Sequence, residues 1–310
     1  MSRTRALLER SPTAWGVGLA LLGAIFFSGK AIVVKLAYAY PVDATTLLAM
    51  RMLLSFPLFF AALLYTMLRN PKNDPLKPRD CGLIVLAGLL GYYLASLFDF
   101  MGLQYITASL ERLILFTYPS LVLLIACLLK HRWPQPWQLL CMAVSYIGLA
   151  LVYGHETVLL GENTALGVVL VFMSAVCYAT YLVVGESLLK RLGTVRVTSL
   201  ATLVSAAAIF IQMALQERLG LMLEQPLPVW GWSLVNAVFC TFVPVFAVMT
   251  AISLIGAPRV SQLGMIGPIS TIVLGTWILN EPFTVWHAAG TALVIAGVAL
   301  LTLKKQNQEG

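Results

Sequence analysis

Charge is what this sequence has least of. Asp, Glu, Lys and Arg make up 11% of its 310 residues, against about 25% in an ordinary soluble domain. With 60% hydrophobic residues and a mean hydropathy of +0.89, that scarcity excludes a water-soluble globular fold. Cysteine and histidine are sparse and unpatterned. The five cysteines (Cys81, Cys127, Cys141, Cys177, Cys240) form no CxxC, and four lie in apolar segments. They read as small buried apolar residues, not as a disulfide framework or a metal site. His131, His155 and His287 fall near expected helix ends without ligand spacing and read as surface or interfacial residues. No metal and no cofactor is expected. The chain also lacks GxxxxGK[ST], HExxH and GxSxG, which argues against a primary pump and against an enzyme.

What it has instead is long apolar runs. A bilayer-spanning helix takes about 20 apolar residues, and such runs fall near 15–38, 44–68, 81–99, 105–129, 136–153, 165–187, 196–215, 229–250, 258–279 and 284–303. The expectation is an all-α polytopic membrane protein of ten helices. The first run is too long and too Lys-bearing for a cleavable signal, so it is read as a retained helix.

Lys and Arg concentrate in cytoplasmic loops, and the 20 here are sorted. One side carries Arg3, Arg5, Arg10, Arg69, Lys72, Lys77, Arg79, Lys130, Arg132, Lys190, Arg191, Arg196, Arg259, Lys304 and Lys305. The other carries Arg112 and Arg218, while Lys30, Lys35 and Arg51 lie within helices. Both termini are therefore expected in the cytoplasm. The net charge of +7 is explained by topology, without a nucleic-acid partner.

Laid over itself at an offset of 149, the chain repeats: residues 102–120 lie over 251–269, matching Ala108 to Ala257 and Pro119 to Pro268, then Trp137 to Trp286 and Gly148 to Gly297. At an offset of 151, Gly16, Ala24 and Phe27 lie over Gly167, Ala175 and Tyr178. Two five-helix repeats are expected, 1–153 and 154–310. Because five is odd, the second must enter the membrane from the opposite side. The loops agree, since 69–80 carries four Lys or Arg where 216–228 carries Arg218 with Glu217 and Glu224. Inverted repeats recur in secondary transporters, which place the substrate near the midplane between the halves.

Certain residues also carry a family likeness: Lys35 late in helix 1, Arg51 early in helix 2, GLQYITAS running into a helix with a central Pro (102–119), and IGAPRVSQLGMIGP (255–268) followed by Leu279, Asn280, Glu281 and Trp286 to Gly290. In their order and spacing the chain resembles the EamA-type transporters of the drug/metabolite transporter superfamily, over residues 15 to 303. The resemblance implies a ten-helix transporter, often an exporter of amino acids or other small metabolites, with a central cavity between the halves and helices 5 and 10 at the periphery. Two departures stand out: the charged pair Glu111 and Arg112, where relatives carry small or apolar residues, and Arg132 at the place matching Glu281.

Ionisable groups inside a span cost about 2.5–3.5 kcal/mol at a helix centre on insertion scales, so they tend to face a cavity or a partner. Lys30 lies ten residues before Tyr40, about 15 Å below the helix end. It either pairs internally with Asp99 or Glu111 or contacts substrate directly. Lys35 is placed to snorkel outward, Arg51 to neutralise a carboxylate or cap a carbonyl, and Arg112 to pair with Asp99 or Glu111. These three are read as gating or structural charges. Asp99 and Glu111 are the candidate proton-coupling groups. Pro119 and Pro268, the latter with Gly264 and Gly267 beside it, mark matched helix breaks, which point to a midplane site or are packing kinks. Tyr92, Tyr178 and Tyr181, with Lys30 and Glu111, are the candidate substrate-binding residues, because tyrosine joins an aromatic face to a hydrogen-bonding tip. Ala288, Ala292 and Ala296 form a small-residue stripe for close helix contact.

The function expected is secondary transport, with export favoured, of small organic metabolites such as amino acids across a bacterial-type inner membrane by alternating access. The alternative is efflux of cationic or lipophilic toxic compounds. The partners are a small-molecule substrate and the lipid bilayer. Oligomeric state is left open.

Overall fold

The computed structural model describes residues 12–69, 75–161 and 163–309. Arg3, Arg5, Arg10 and Lys72 lie outside the described residues, as do the side chains of Lys304 and Lys305. The described residues form helices with no strand. In chain order these are α1 (Pro12–Ala37), α2 (Ala44–Arg69), α3 (Pro78–Ala87), α4 (Ala95–Gly102), α5 (Ala108–Leu115), α6 (Tyr118–Leu129), α7 (Pro136–Leu160), α8 (Thr164–Leu192), α9 (Thr194–Leu215), α10 (Leu219–Leu223), α11 (Leu227–Ala237), α12 (Val243–Ile255), α13 (Ala257–Gly264), α14 (Ile266–Ile278) and α15 (Val285–Glu309). The protein is an all-α polytopic membrane protein. Nine spans among the described residues are long and apolar enough to cross a bilayer. The tenth expected span, 258–279, is occupied by α13 and α14.

The ends of the helices follow local chemistry. Asp43 accepts from the backbone N–H of Thr45 and Thr46 at 3.0 Å, satisfying two of the orphan donors that every helix start presents. Pro78 opens α3, where its missing N–H costs nothing, and the Asp80 carboxylate accepts from Lys77 N at 2.7 Å. Gly193, at φ +78°, turns α8 straight into α9, a backbone conformation closed to most side chains.

The irregularities repeat as the sequence does. A π-helical stretch at Gly88–Leu94 joins α3 to α4, and another at Val238–Phe242 joins α11 to α12. The α5–α6 junction at Phe116–Thr117 matches the α13–α14 junction at Met265. Both pairs keep the 149-residue offset. Pro119 and Pro268 are not at the interruptions but in the first turn of α6 and α14, where a helix has no N–H bond to lose. They open the second segment of each broken span, whereas Pro57 sits inside a continuous helix.

α1 runs antiparallel to α12, with Gly16 beside Ile255 and Gly23 beside Val248. α7 crosses α15 where a Cβ on Gly148 would lie 2.6 Å from the Gly290 carbonyl, so the backbones touch. Val152, Val294 and Val298 seal the same seam. The Ala288, Ala292 and Ala296 stripe faces outward instead; glycine and valine, not that alanine stripe, pack α15 onto α7.

Candidate functional site

The two π-helical stretches and the two helix junctions border a central cavity of about 560 Å³. π-bulges inside α-helices often mark functional sites. Here they bring Gly91 and Tyr92 from one repeat and Cys240 and Thr241 from the other to the lining of one cavity. The lining runs from Lys30, Arg51, Ser96 and Asp99 at its deep end to Ala20, Ile252 and Thr302 at the end where α1 begins and α15 finishes.

At the deep end Lys30 serves two acids. Its ammonium lies 2.6 Å from Asp99 Oδ2 and 3.4 Å from Glu111 Oε1. The lysine side chain is 19% exposed and Asp99 2%. A buried carboxylate is tolerated only when paired, and one ammonium answers for both. Ser28, two residues earlier, donates to the Gly267 carbonyl at 3.0 Å, and Thr271 donates to the Ser28 carbonyl at 3.3 Å. The start of α14 is thereby tied to the stretch of α1 that carries Lys30.

Arg51 and Arg112 are placed differently from the sequence expectation. Arg51 meets neither carboxylate nor carbonyl: it donates to Ser96 Oγ at 2.8 Å and lies over the Phe100 ring at 4.9 Å, a cation–π contact. Arg112 pairs with neither Asp99 nor Glu111, because Lys30 has taken both; it lines the cavity instead. Lys35 lies outside the cavity, in a separate pocket with Tyr38, Leu103 and Gln104.

Of the tyrosines, Tyr92, Tyr118 and Tyr178 line the cavity, with Tyr178 edge-on to Tyr118 at 5.5 Å. Tyr181 does not reach it. It is buried behind Tyr92, hydroxyl to hydroxyl at 3.5 Å. Gly264 and Pro119 are on the wall, while Gly267 and Pro268 stand behind it. Glu111 is fully buried and touches the site through Lys30.

Beyond the deep end the bundle is tied shut by residues that sequence reasoning missed. Glu281 accepts from Ala108 N at 2.7 Å, Ser109 N at 3.2 Å and Ser109 Oγ at 2.8 Å. A carboxylate from the second repeat thus caps α5 of the first, where the helix dipole favours negative charge. Thr107, the N-cap residue of α5, donates its hydroxyl to Glu156. His287 is a correction: it is 2% exposed, not superficial. Its Nδ1 accepts from Thr284 N at 3.3 Å, which leaves Nε2–H to donate to Glu156 Oε1, also at 3.3 Å. Tyr38 donates to the Phe100 carbonyl at 2.7 Å, and burial raises its phenol well above the ordinary range, keeping it a donor. Glu281 had signalled itself only as the acid ending a span; no spacing connects it to residue 108.

A bundle of membrane helices in two repeats, around a charged cavity whose lining extends towards one end while hydrogen bonds between the repeats tie the other, is the build of a membrane transporter. Residues 14–154 and 165–303 each match the EamA-like transporter family, and the chain belongs to that family. It is 30% identical over 302 residues to the uncharacterized transporter YcbK of Bacillus subtilis, covering 96% of both chains. To the uncharacterized transporter sll1319 of Synechocystis it is 27% identical over 330 residues, covering 94% of both. A solved crystal structure superposes over 97% of this chain and 99% of its own with a TM-score of 0.61 at 18% identity, a likeness of fold.

Proposed function

We propose that this protein is a secondary transporter, an exporter of small organic metabolites such as amino acids, working by alternating access between two inverted repeats, 1–153 and 154–310. The observation that carries the reading is the cavity itself: it holds a buried cluster of ionisable groups at its deep end and its lining extends from there towards one face, while cross-repeat hydrogen bonds lie on the side of the other. The repeat of π-helical stretches and helix junctions at one offset supports it, since two equivalent hinges allow the open and closed ends to exchange. With Lys and Arg sorted as they are, the closed end faces out of the cytoplasm of a bacterial-type inner membrane.

Asp99 and Glu111 carry the coupling proton. Two carboxylates around one ammonium form a group whose charge changes by one on protonation without breaking the cluster apart. Lys30 holds these acids in place, and its contact with solute comes only when one of them releases it.

The test is release from proteoliposomes loaded with a metabolite extract, under imposed pH gradients of either sign, with the compounds identified by mass spectrometry. Wild type is expected to release a defined set of carboxylate-bearing solutes. The double variant Asp99→Asn, Glu111→Gln is expected to lose the dependence on the gradient. Release indistinguishable from empty vesicles under both gradients would refute the transporter reading.

A further inference from the structure

Resting on that reading, we propose that Arg112 is the anion anchor of the cavity and that the solute it takes is a small amphiphile, one carboxylate joined to an apolar body.

The charges of the deep end do not balance. Lys30, Arg51 and Arg112 face Asp99 and Glu111, and the ion pairs of both acids are with Lys30. Arg51 gives one N–H to the Ser96 hydroxyl and lies over the Phe100 ring, with its Nε unpartnered. Arg112 makes no hydrogen bond or ion pair among the described residues, and its Nε is buried without a partner. A guanidinium with donors unused, on the wall of a cavity, is a site that lacks its acceptor. Its planar fork matches a carboxylate, which accepts two parallel N–H bonds. With the coupling proton released and all five groups ionised the surplus is one positive charge, which matches a monoanion.

Room for the guanidinium is built in. A Cβ on Gly267 would lie 2.6 Å from Arg112 Nη2, so any other residue here would push the guanidinium from its place against α14. The same glycine's carbonyl receives Ser28, which ties the anchor's backing to the helix of Lys30.

The opposite wall supplies the rest of the ligand's chemistry. At the repeat offsets, Asp99, Glu111 and Arg112 correspond to Val248, Val260 and Ser261, all on the cavity wall, and Lys30 corresponds to Tyr181. Each of these four charged groups of the first repeat has an uncharged counterpart in the second. A solute that satisfies both walls is charged at one end and apolar at the other, with Tyr118 and Tyr178 beside the anchor to cover a ring or branched chain.

The test measures binding to the full chain in detergent by titration calorimetry, with 3-phenylpropanoate, its amide 3-phenylpropanamide and inorganic phosphate as probes. Wild type is expected to bind the carboxylate at least tenfold more tightly than the amide or phosphate. Arg112→Gln is expected to lose that preference, while Arg112→Lys retains part of it, as a point charge in place of a fork. The thermal unfolding midpoint of each variant checks that it is folded. If Arg112→Gln misfolds, Gly267→Ala, which displaces the guanidinium from outside the cavity, must weaken the carboxylate and leave the amide unchanged. Equal binding of carboxylate and amide by wild type, a carboxylate preference that survives in folded Arg112→Gln, or no binding of any probe would overturn the proposal. Transport is read separately: binding with this preference but no flux in proteoliposomes sinks the transporter reading and leaves the anchor standing.

Discussion

Removing one charge from Glu281 should open the closed end of the cavity. Its carboxylate takes three hydrogen bonds from α5, all from the other repeat. Glu281→Gln preserves the shape and one acceptor oxygen, but loses the second acceptor and the charge that complements the helix start. Hydrogen bonds to a charged group contribute about 1.5–3 kcal/mol each, and part of that survives in the amide. A net loss of about 2 kcal/mol is therefore a conservative figure. Because the tie exists only while this end is closed, the loss falls on the closed state and shifts the ratio of the two states about 30-fold. A cysteine introduced at Thr241, half-buried on the cavity wall, is the reporter once the five natural cysteines are replaced by serine. An impermeant maleimide is applied to each face of oriented vesicles. Wild type is expected to react from the face where α1 begins, and Glu281→Gln to gain reaction from the opposite face by an order of magnitude or more. Unchanged labelling from both faces, in a variant that is folded, would show that Glu281 is a local helix cap and not part of the closure.

Three further perturbations probe other parts of the argument. Lys30→Gln leaves two buried carboxylates without their ammonium, a change that costs about 3–5 kcal/mol when one partner of a buried pair is removed. The thermal midpoint should fall markedly and recover when Asp99→Asn is added; no recovery would mean the acids are not held by Lys30. His287→Phe removes a donor from Glu156 and should cost about 1–3 kcal/mol, against little or nothing for the exposed His131→Phe, both read from thermal unfolding. Gly290→Leu forces apart the α7–α15 crossing, where a Cβ would already lie 2.6 Å from the Gly148 carbonyl. It should lower stability by about 1–3 kcal/mol, as overpacking does, whereas Ala288→Leu on the outward stripe should leave it unchanged.

The spans were legible residue by residue because hydropathy along a helix is a local property. The expected 44–68 and 196–215 are helices Ala44–Arg69 and Thr194–Leu215. The window method fell short mainly at ends such as Leu192 and Ile255, where helices continue past their most apolar stretch. The repeat offset was equally legible, and it carried over to features no propensity scale announces, the two π-helical stretches. Prolines misled slightly. Pro119 signalled an interruption, but the break lies just before it, because proline is at ease in a first turn and not in the turn that precedes it.

Composition, hydropathy and the self-overlay determined by themselves that this chain is a helical membrane protein of two repeats, since those signals are summed along the chain and need no partner. They also singled out Lys30, Lys35 and Arg51 as charges within spans, and Asp99, Glu111 and Arg112 as charges to be paired or coupled, the last of them counted with the loop charges of the outer side. Which cation pairs with which acid was decided by the tertiary structure alone. Asp99 is nearer in sequence to Arg112 than to Lys30, yet the fold delivers Lys30 to both carboxylates and leaves Arg112 facing the cavity. The same holds for Glu281 on α5 and His287 on Glu156, contacts across 173 and 131 residues. An ion pair depends on where two helices place their side chains in space, and a one-dimensional pattern carries no information about that distance.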